Sequence, residues 1–178
     1  PQIIKAAAIS RAIHTHFAGE IEEAILHTGQ HYDTNMSAVF FEELGIPQPE
    51  YNLHVGSGSH GQQTARIIEG VEQVLQEAQT NGEPFDGMIV YGDTNSTLAA
   101  SIAAAKIHIP VFHIEAGLRS FNMTMPEEVN RIVCDQLSSI LFTPTITGLS
   151  NLQNEGFAEN GIKSRVRFSG QREQYVVQ

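Results

Sequence analysis

The sequence predicts an α/β protein built on a doubly wound, mostly parallel sheet. Three observations predict it. Segments of helical period alternate with short apolar runs, and the connections between them are short. The runs are continuously apolar rather than alternating, as in strands buried on both faces of a helix-covered parallel sheet. Polar and glycine-rich turns also follow the runs, so polar groups should gather along one rim, where such folds bind their ligands.

Taken in order, residues 2–17 have helical spacing, with Ile3, Ile4, Ala7 and Ala8 followed by Ile13 and Phe17. Residues 24–27 form a short apolar run stopped by Thr28-Gly29, a strand ending in a turn. Residues 34–44 read as a helix, with Gly45 and Pro47 as its stop signals. The run Gly56 to Gly61 reads as a flexible loop. A long amphipathic helix follows over 62–79, its inward face carrying Ile67, Ile68, Val71, Val74 and Leu75. Then come a buried strand at 88–91, an alanine-rich helix at 96–107 and a strand at 110–114. Pro126 suits the first turn of a helix over 127–138. A strand at 140–142, a helix at 145–155 and a last strand at 166–168 complete the reading.

A chain of 178 residues can bury one real core. Its 41% apolar and 17% charged residues make an ordinary globular balance. No apolar run approaches the roughly 18 residues that span a bilayer, and no signal-type leader is visible. Pro1 reads as a front end that has been cut. Twenty acidic against ten basic residues give a formal charge of −10, a field that repels nucleic acid. Cys134 is the only cysteine, so no internal disulfide can form, which fits a reducing cytoplasm. The eight histidines lack the paired spacing of zinc sites. The serines lack a nucleophile-elbow pattern. The glycine-serine loop matches neither a P-loop nor GxGxxG.

Three carboxylate positions stand out. Asp93 directly follows a buried strand; taken alone it reads first as a helix cap, although Thr94, Asn95 and Ser96 can cap as well. Glu115 ends an apolar strand, where desolvation raises a carboxyl pKa and suits it to acid–base work. It reads equally as a partner of Arg119 or Arg131. Glu127-Glu128 sit at a helix start, where acidic side chains favour the positive end of the dipole; their interest comes from Asn130 and Arg131 nearby. His31 and His60 fall in loops on the strand-end side, with solvated loop histidines as the default.

The runs 28–32 (Thr-Gly-Gln-His-Tyr), 91–97 (Tyr-Gly-Asp-Thr-Asn-Ser-Thr), 113–120 (His-Ile-Glu-Ala-Gly-Leu-Arg-Ser) and 126–131 (Pro-Glu-Glu-Val-Asn-Arg) resemble, in order and spacing, the N-terminal domain of non-hydrolysing UDP-N-acetylglucosamine (UDP-GlcNAc) 2-epimerases. The resemblance covers the chain to about residue 170, and four ordered motifs are specific where one would not be. It implies a Rossmann-like domain, one half of a glycosyltransferase-B-type pair with the active site between the halves. It implies interconversion of UDP-GlcNAc and its manno epimer by elimination and re-addition of UDP, with no metal and no redox cofactor. By resemblance Asp93, Glu115 and Glu127 are the catalytic carboxylates, and Lys5, Arg119, Asn130 and Arg131 contact substrate. Gln30, His31 and Gln63 lie near positions that hold an activating second sugar nucleotide in some members. The glycine-serine loop and the Thr-Asn-Ser-Thr run resemble a subgroup in which some members use a UDP-2,3-diacetamido-glucuronic acid.

The departures define the expected boundaries. The family's first strand, with a Gly-Thr-Arg turn, would precede Pro1. Residues 1–169 are then the Rossmann-like domain without that strand, and 170–178 a tail or linker whose sequence does not match the family. A C-terminal nucleotide-binding domain, which supplies a catalytic histidine in the family, would follow. The resemblance implies a cytoplasmic, homodimeric enzyme when intact, bound to neither nucleic acid nor membrane, with this chain inactive alone. The rivals are a non-catalytic sugar-nucleotide-binding or regulatory half-domain, and another two-domain glycosyltransferase fold.

Overall fold

The structure is a computed structural model, and it describes residues 2–29, 45, 47–157 and 175–177. The chain falls into two compact units, Pro1–Ile67 and Ile68–Gln178. The expected class is found: an α/β, Rossmann-like arrangement in which every described strand pairing is parallel.

In the first unit, α1 spans Gln2–His16. Ala7 is fully buried and packs with Ile3 and Ile25. Ser10, buried on the same helix, donates to Glu23 Oε2 at 2.6 Å. β1 (Leu26–His27) pairs with β2 (Tyr51–Asn52). The pairing runs on through backbone bonds from Leu53 to His27, Val55 to Thr28 and Gly56 to Gly29. The helix expected at 34–44 lies outside the described residues. α2 spans His60–Thr80 and crosses the boundary between the units; Ile67, Val71 and Leu75 form its buried stripe at intervals of four.

The second unit carries a four-stranded sheet in the order β3-β4-β5-β6. Its strands are β3 (Met88–Tyr91), β4 (Val111–Ile114), β5 (Ile140–Phe142) and β6 (Tyr175–Val177). The helices between them are α3 (Asn95–Lys106), α4 (Pro126–Leu137) and α5 (Ile146–Asn154). Consecutive strands are neighbours, so right-handed crossovers place α3 and α4 on one face of the sheet, where the two helices pack together. The buried alanines of α3 (Ala99, Ala100, Ala103 and Ala104) allow that close approach. Ala116, Leu141, Leu152 and Phe157 close the core beside β5.

The strand expected at 166–168 lies outside the described residues. Tyr175–Val177, assigned to the tail on sequence, instead pairs with β5. Among the described residues no helix is long and apolar enough to cross a membrane.

Candidate active site

Neighbouring β3 and β4 are parallel, with Tyr91 opposite Ile114, so both strands end on the same rim. Asp93 lies two residues beyond β3 and Glu115 directly beyond β4. The turn after β3 uses Gly92 at φ 68, and its N–H donates to Ile114 O at 3.0 Å. Glu115 itself sits at φ 81, an uncommon conformation for a side chain other than glycine. The N–H groups of Glu115 and Ala116 both donate to Phe142 O, at 3.1 and 3.0 Å, which holds this turn against β5.

Asp93 is not the cap of α3. Thr94 takes that role, its side chain accepting from Thr97 N while Thr97 Oγ1 accepts from Thr94 N. Asp93 Oδ2 instead accepts from Arg131 Nη2 at 2.6 Å. Arg131 Nη1 donates to Glu128 Oε2 at 2.9 Å. Asn130 is buried and donates to Asp93 O at 2.8 Å. The second turn of α4 thus grips Asp93 by backbone and carboxylate alike.

The adjacent glutamates at the start of α4 separate. Glu127 is exposed, whereas Glu128 is buried. Glu128 accepts from Ser120 N at 2.9 Å and Phe121 N at 2.8 Å as well as from Arg131. Burial pushes its carboxyl up, but the two backbone N–H groups and the guanidinium outweigh that and hold it below the ordinary carboxylate value.

Arg119, expected to contact substrate, lies in a cluster of ion pairs. Its side chain is only 1% exposed. It donates to both oxygens of Glu155, at 2.7 and 2.6 Å, and to Asp135 Oδ2 at 2.8 Å. Burial disfavours the charge, but Glu155 and Asp135 more than compensate and raise the guanidinium pKa. A guanidinium so held braces the loop after β4. Asp135 also accepts from Gly117 N at 3.1 Å and faces His113 Nδ1 at 2.7 Å. His113 Nε2 reaches Gly92 O at 2.8 Å.

Lys5 and Gln63 belong to the first unit: Lys5 Nζ donates to Gln2 at 3.2 Å, and Gln63 Nε2 to Gly56 O at 3.1 Å. Gln30 and His31 lie outside the described residues. Cys134 is buried, and burial pushes its thiol up to about 12, as befits an inert core residue. Among the described residues no group of three His, Cys, Asp or Glu side chains is arranged to hold a metal ion.

Sequence reasoning weighed Glu128 only with Glu127 as a helix-start pair and gave it no site role, and it missed His113 and Asp135. Glu128, Arg131 and Asp135 recur at i, i+3 and i+7, so they form one stripe of α4. That spacing was the available signal.

The family model for UDP-N-acetylglucosamine 2-epimerase matches residues 13–164. The chain belongs to this family. It is 52% identical over 163 residues to the UDP-2,3-diacetamido-2,3-dideoxy-D-glucuronate 2-epimerase of Pseudomonas aeruginosa, covering 92% of this chain and 44% of that protein. It is 48% identical over 162 residues to the UDP-N-acetylglucosamine 2-epimerase of Methanocaldococcus jannaschii, covering 91% and 42%. A crystal structure of the Methanocaldococcus jannaschii UDP-GlcNAc 2-epimerase in complex with UDP-GlcNAc and UDP superposes with a TM-score of 0.80 at 47% identity, over 88% of this chain and 41% of that one. The Neisseria meningitidis enzyme bound to UDP-GlcNAc gives 0.77 at 33% identity, over 88% and 41%. The chain therefore spans less than half the length of these relatives.

Proposed function

We propose that this chain is the N-terminal, carboxylate-bearing half of an enzyme that inverts C2 of a UDP-N-acetyl-hexosamine, and that it needs a second, nucleotide-binding half for turnover. The observation that carries the reading is the pair Asp93 and Glu115, set on one rim just beyond neighbouring parallel strands in a chain of the epimerase family. In the elimination, a carboxylate takes the C2 proton, the C1–C2 double bond forms, and the C1–oxygen bond breaks to release UDP. In the return step UDP oxygen rejoins C1 and a proton reaches C2 on the opposite face. One base cannot easily serve both faces, so two or more carboxylates around the ring meet the requirement. Glu115 is assigned the principal acid–base role, Asp93 its partner and Glu127 an assisting one. Arg131 and Asn130 hold Asp93 in place, and Lys5, Arg119, Asn130 and Arg131 are assigned to substrate contact. Gln30, His31 and Gln63 remain assigned to a second sugar-nucleotide site. The intact enzyme is taken as cytoplasmic and homodimeric.

The identity to the Pseudomonas aeruginosa enzyme favours a second reading of the sugar, a 2,3-diacetamido uronate. Proton NMR of the full-length protein with each UDP-sugar separates the two. Conversion of UDP-GlcNAc to its manno epimer is expected. Conversion of only the uronate would reassign the substrate, and conversion of neither would leave the non-catalytic half-domain reading in its place.

A further inference from the structure

The geometry points to His113 as a positioning residue that sets Asp93 relative to Glu115, an inference that rests on the epimerase reading above. His113 is fully buried in β4, two residues before Glu115. Its Nε2 lies 2.8 Å from the carbonyl of Gly92, the residue before Asp93. A carbonyl can only accept, so Nε2 carries the hydrogen and donates it. Nδ1 lies 2.7 Å from Asp135 Oδ1, while Asp135 Oδ2 takes the N–H of Gly117 and the guanidinium of Arg119. One imidazole therefore ties the turn that presents Asp93 to the strand that presents Glu115. Asp135, on α4, anchors the ring and the following loop together.

The carbonyl of Gly92 is also the point where the chain leaves β3 in a positive-φ turn. A hydrogen bond there fixes the peptide plane from which Asp93 projects. From the other side, Asn130 Nδ2 fixes the Asp93 carbonyl. Consecutive carbonyls, Gly92 and Asp93, are thus each held by a buried side chain, and the carboxylate between them has little freedom to drift. Proton transfer needs that precision, since a misplacement of about 1 Å can cost roughly 100-fold in rate.

Two substitutions separate positioning from mere stability. His113→Gln puts an amide where Nε2 was, so it can still donate to Gly92 O but loses Asp135. His113→Asn puts an amide where Nδ1 was, so it keeps Asp135 and loses Gly92. A purely structural role ranks Asn above Gln, because Asn retains the contact with the buried charge. Positioning ranks Gln above Asn in kcat.

The experiment measures kcat and KM for C2 exchange in the full-length protein, melting temperature, and hydrogen exchange over residues 91–95. The expected result is a fall of about 10-fold or more in kcat for His113→Asn with KM little changed, and faster exchange at 92–94. His113→Gln should keep more of kcat despite the lower melting temperature. Equal losses, or activity that follows melting temperature, would overturn the inference. If the wild-type protein shows no C2 exchange, the epimerase reading fails on its own. The hydrogen-exchange arm still decides whether His113 holds the turn: similar protection over 92–94 in both variants would refute it.

Discussion

Glu128 meets the N–H groups of Ser120 and Phe121 and the guanidinium of Arg131, while Glu127, one residue earlier, is exposed. These contacts hold the folded-state pKa of Glu128 below its unfolded value. A carboxyl depressed in this way stabilises the fold above its unfolded pKa, and the contribution is lost as pH falls through the folded one. Glu128→Gln should therefore cost about 2 kcal/mol at neutral pH, the scale of a charged hydrogen bond, or on the order of 4–8 °C in melting temperature. The deficit should shrink on acidification. Thermal melts from pH 7 to pH 3 check it; a deficit that stays constant would mean that the charge of Glu128 does not matter. Which glutamate of the pair turns inward was not legible from composition or from the helix-start pattern, because both suit a helix N-terminus. Helix phase decides it, through Arg131 and Asp135 on the same stripe.

At the level of the element, the strands at 88–91 and 140–142 were legible because each is a continuous apolar run bounded by turn residues. The start of α4 at Pro126 was legible because proline is tolerated there. β2 was not: Tyr51–Asn52 carries no periodic pattern, and its strand character comes from backbone pairing with β1. Asp93 was ambiguous because four consecutive residues could cap α3, and only the fold shows that Thr94 does. The loop after β4 adds a constraint that sequence only hinted at. Gly117 sits at φ 77, and a Cβ there would collide with the carbonyl oxygen of Gly148 in α5. Gly117→Ala should cost at least about 2 kcal/mol, from backbone strain and displacement of α5. Gly61→Ala, in open space on α2, is the control and should be near neutral. Equal melting temperatures for the two variants would show that the loop and α5 are not packed as described.

At the scale of the whole molecule, the family match, the parallel sheet and the common rim of Asp93 and Glu115 are the grounds for the proposal that the chain is one half of a two-part enzyme. The relatives are more than twice as long as the matched stretch, so the chain of 178 residues alone should show no epimerisation. If the rim carboxylates move the C2 proton, exchange of that proton with solvent reports the step itself. The measurement is deuterium incorporation at C2 of the UDP-sugar in D2O, with the full-length protein and its Asp93→Asn and Glu115→Gln variants. Each variant keeps the size of the side chain and removes its titrating group. Exchange and turnover should fall together by roughly 100-fold or more in each variant, with the fold intact. Near-normal exchange in either variant would contradict the proposed role and would make that residue a structural one.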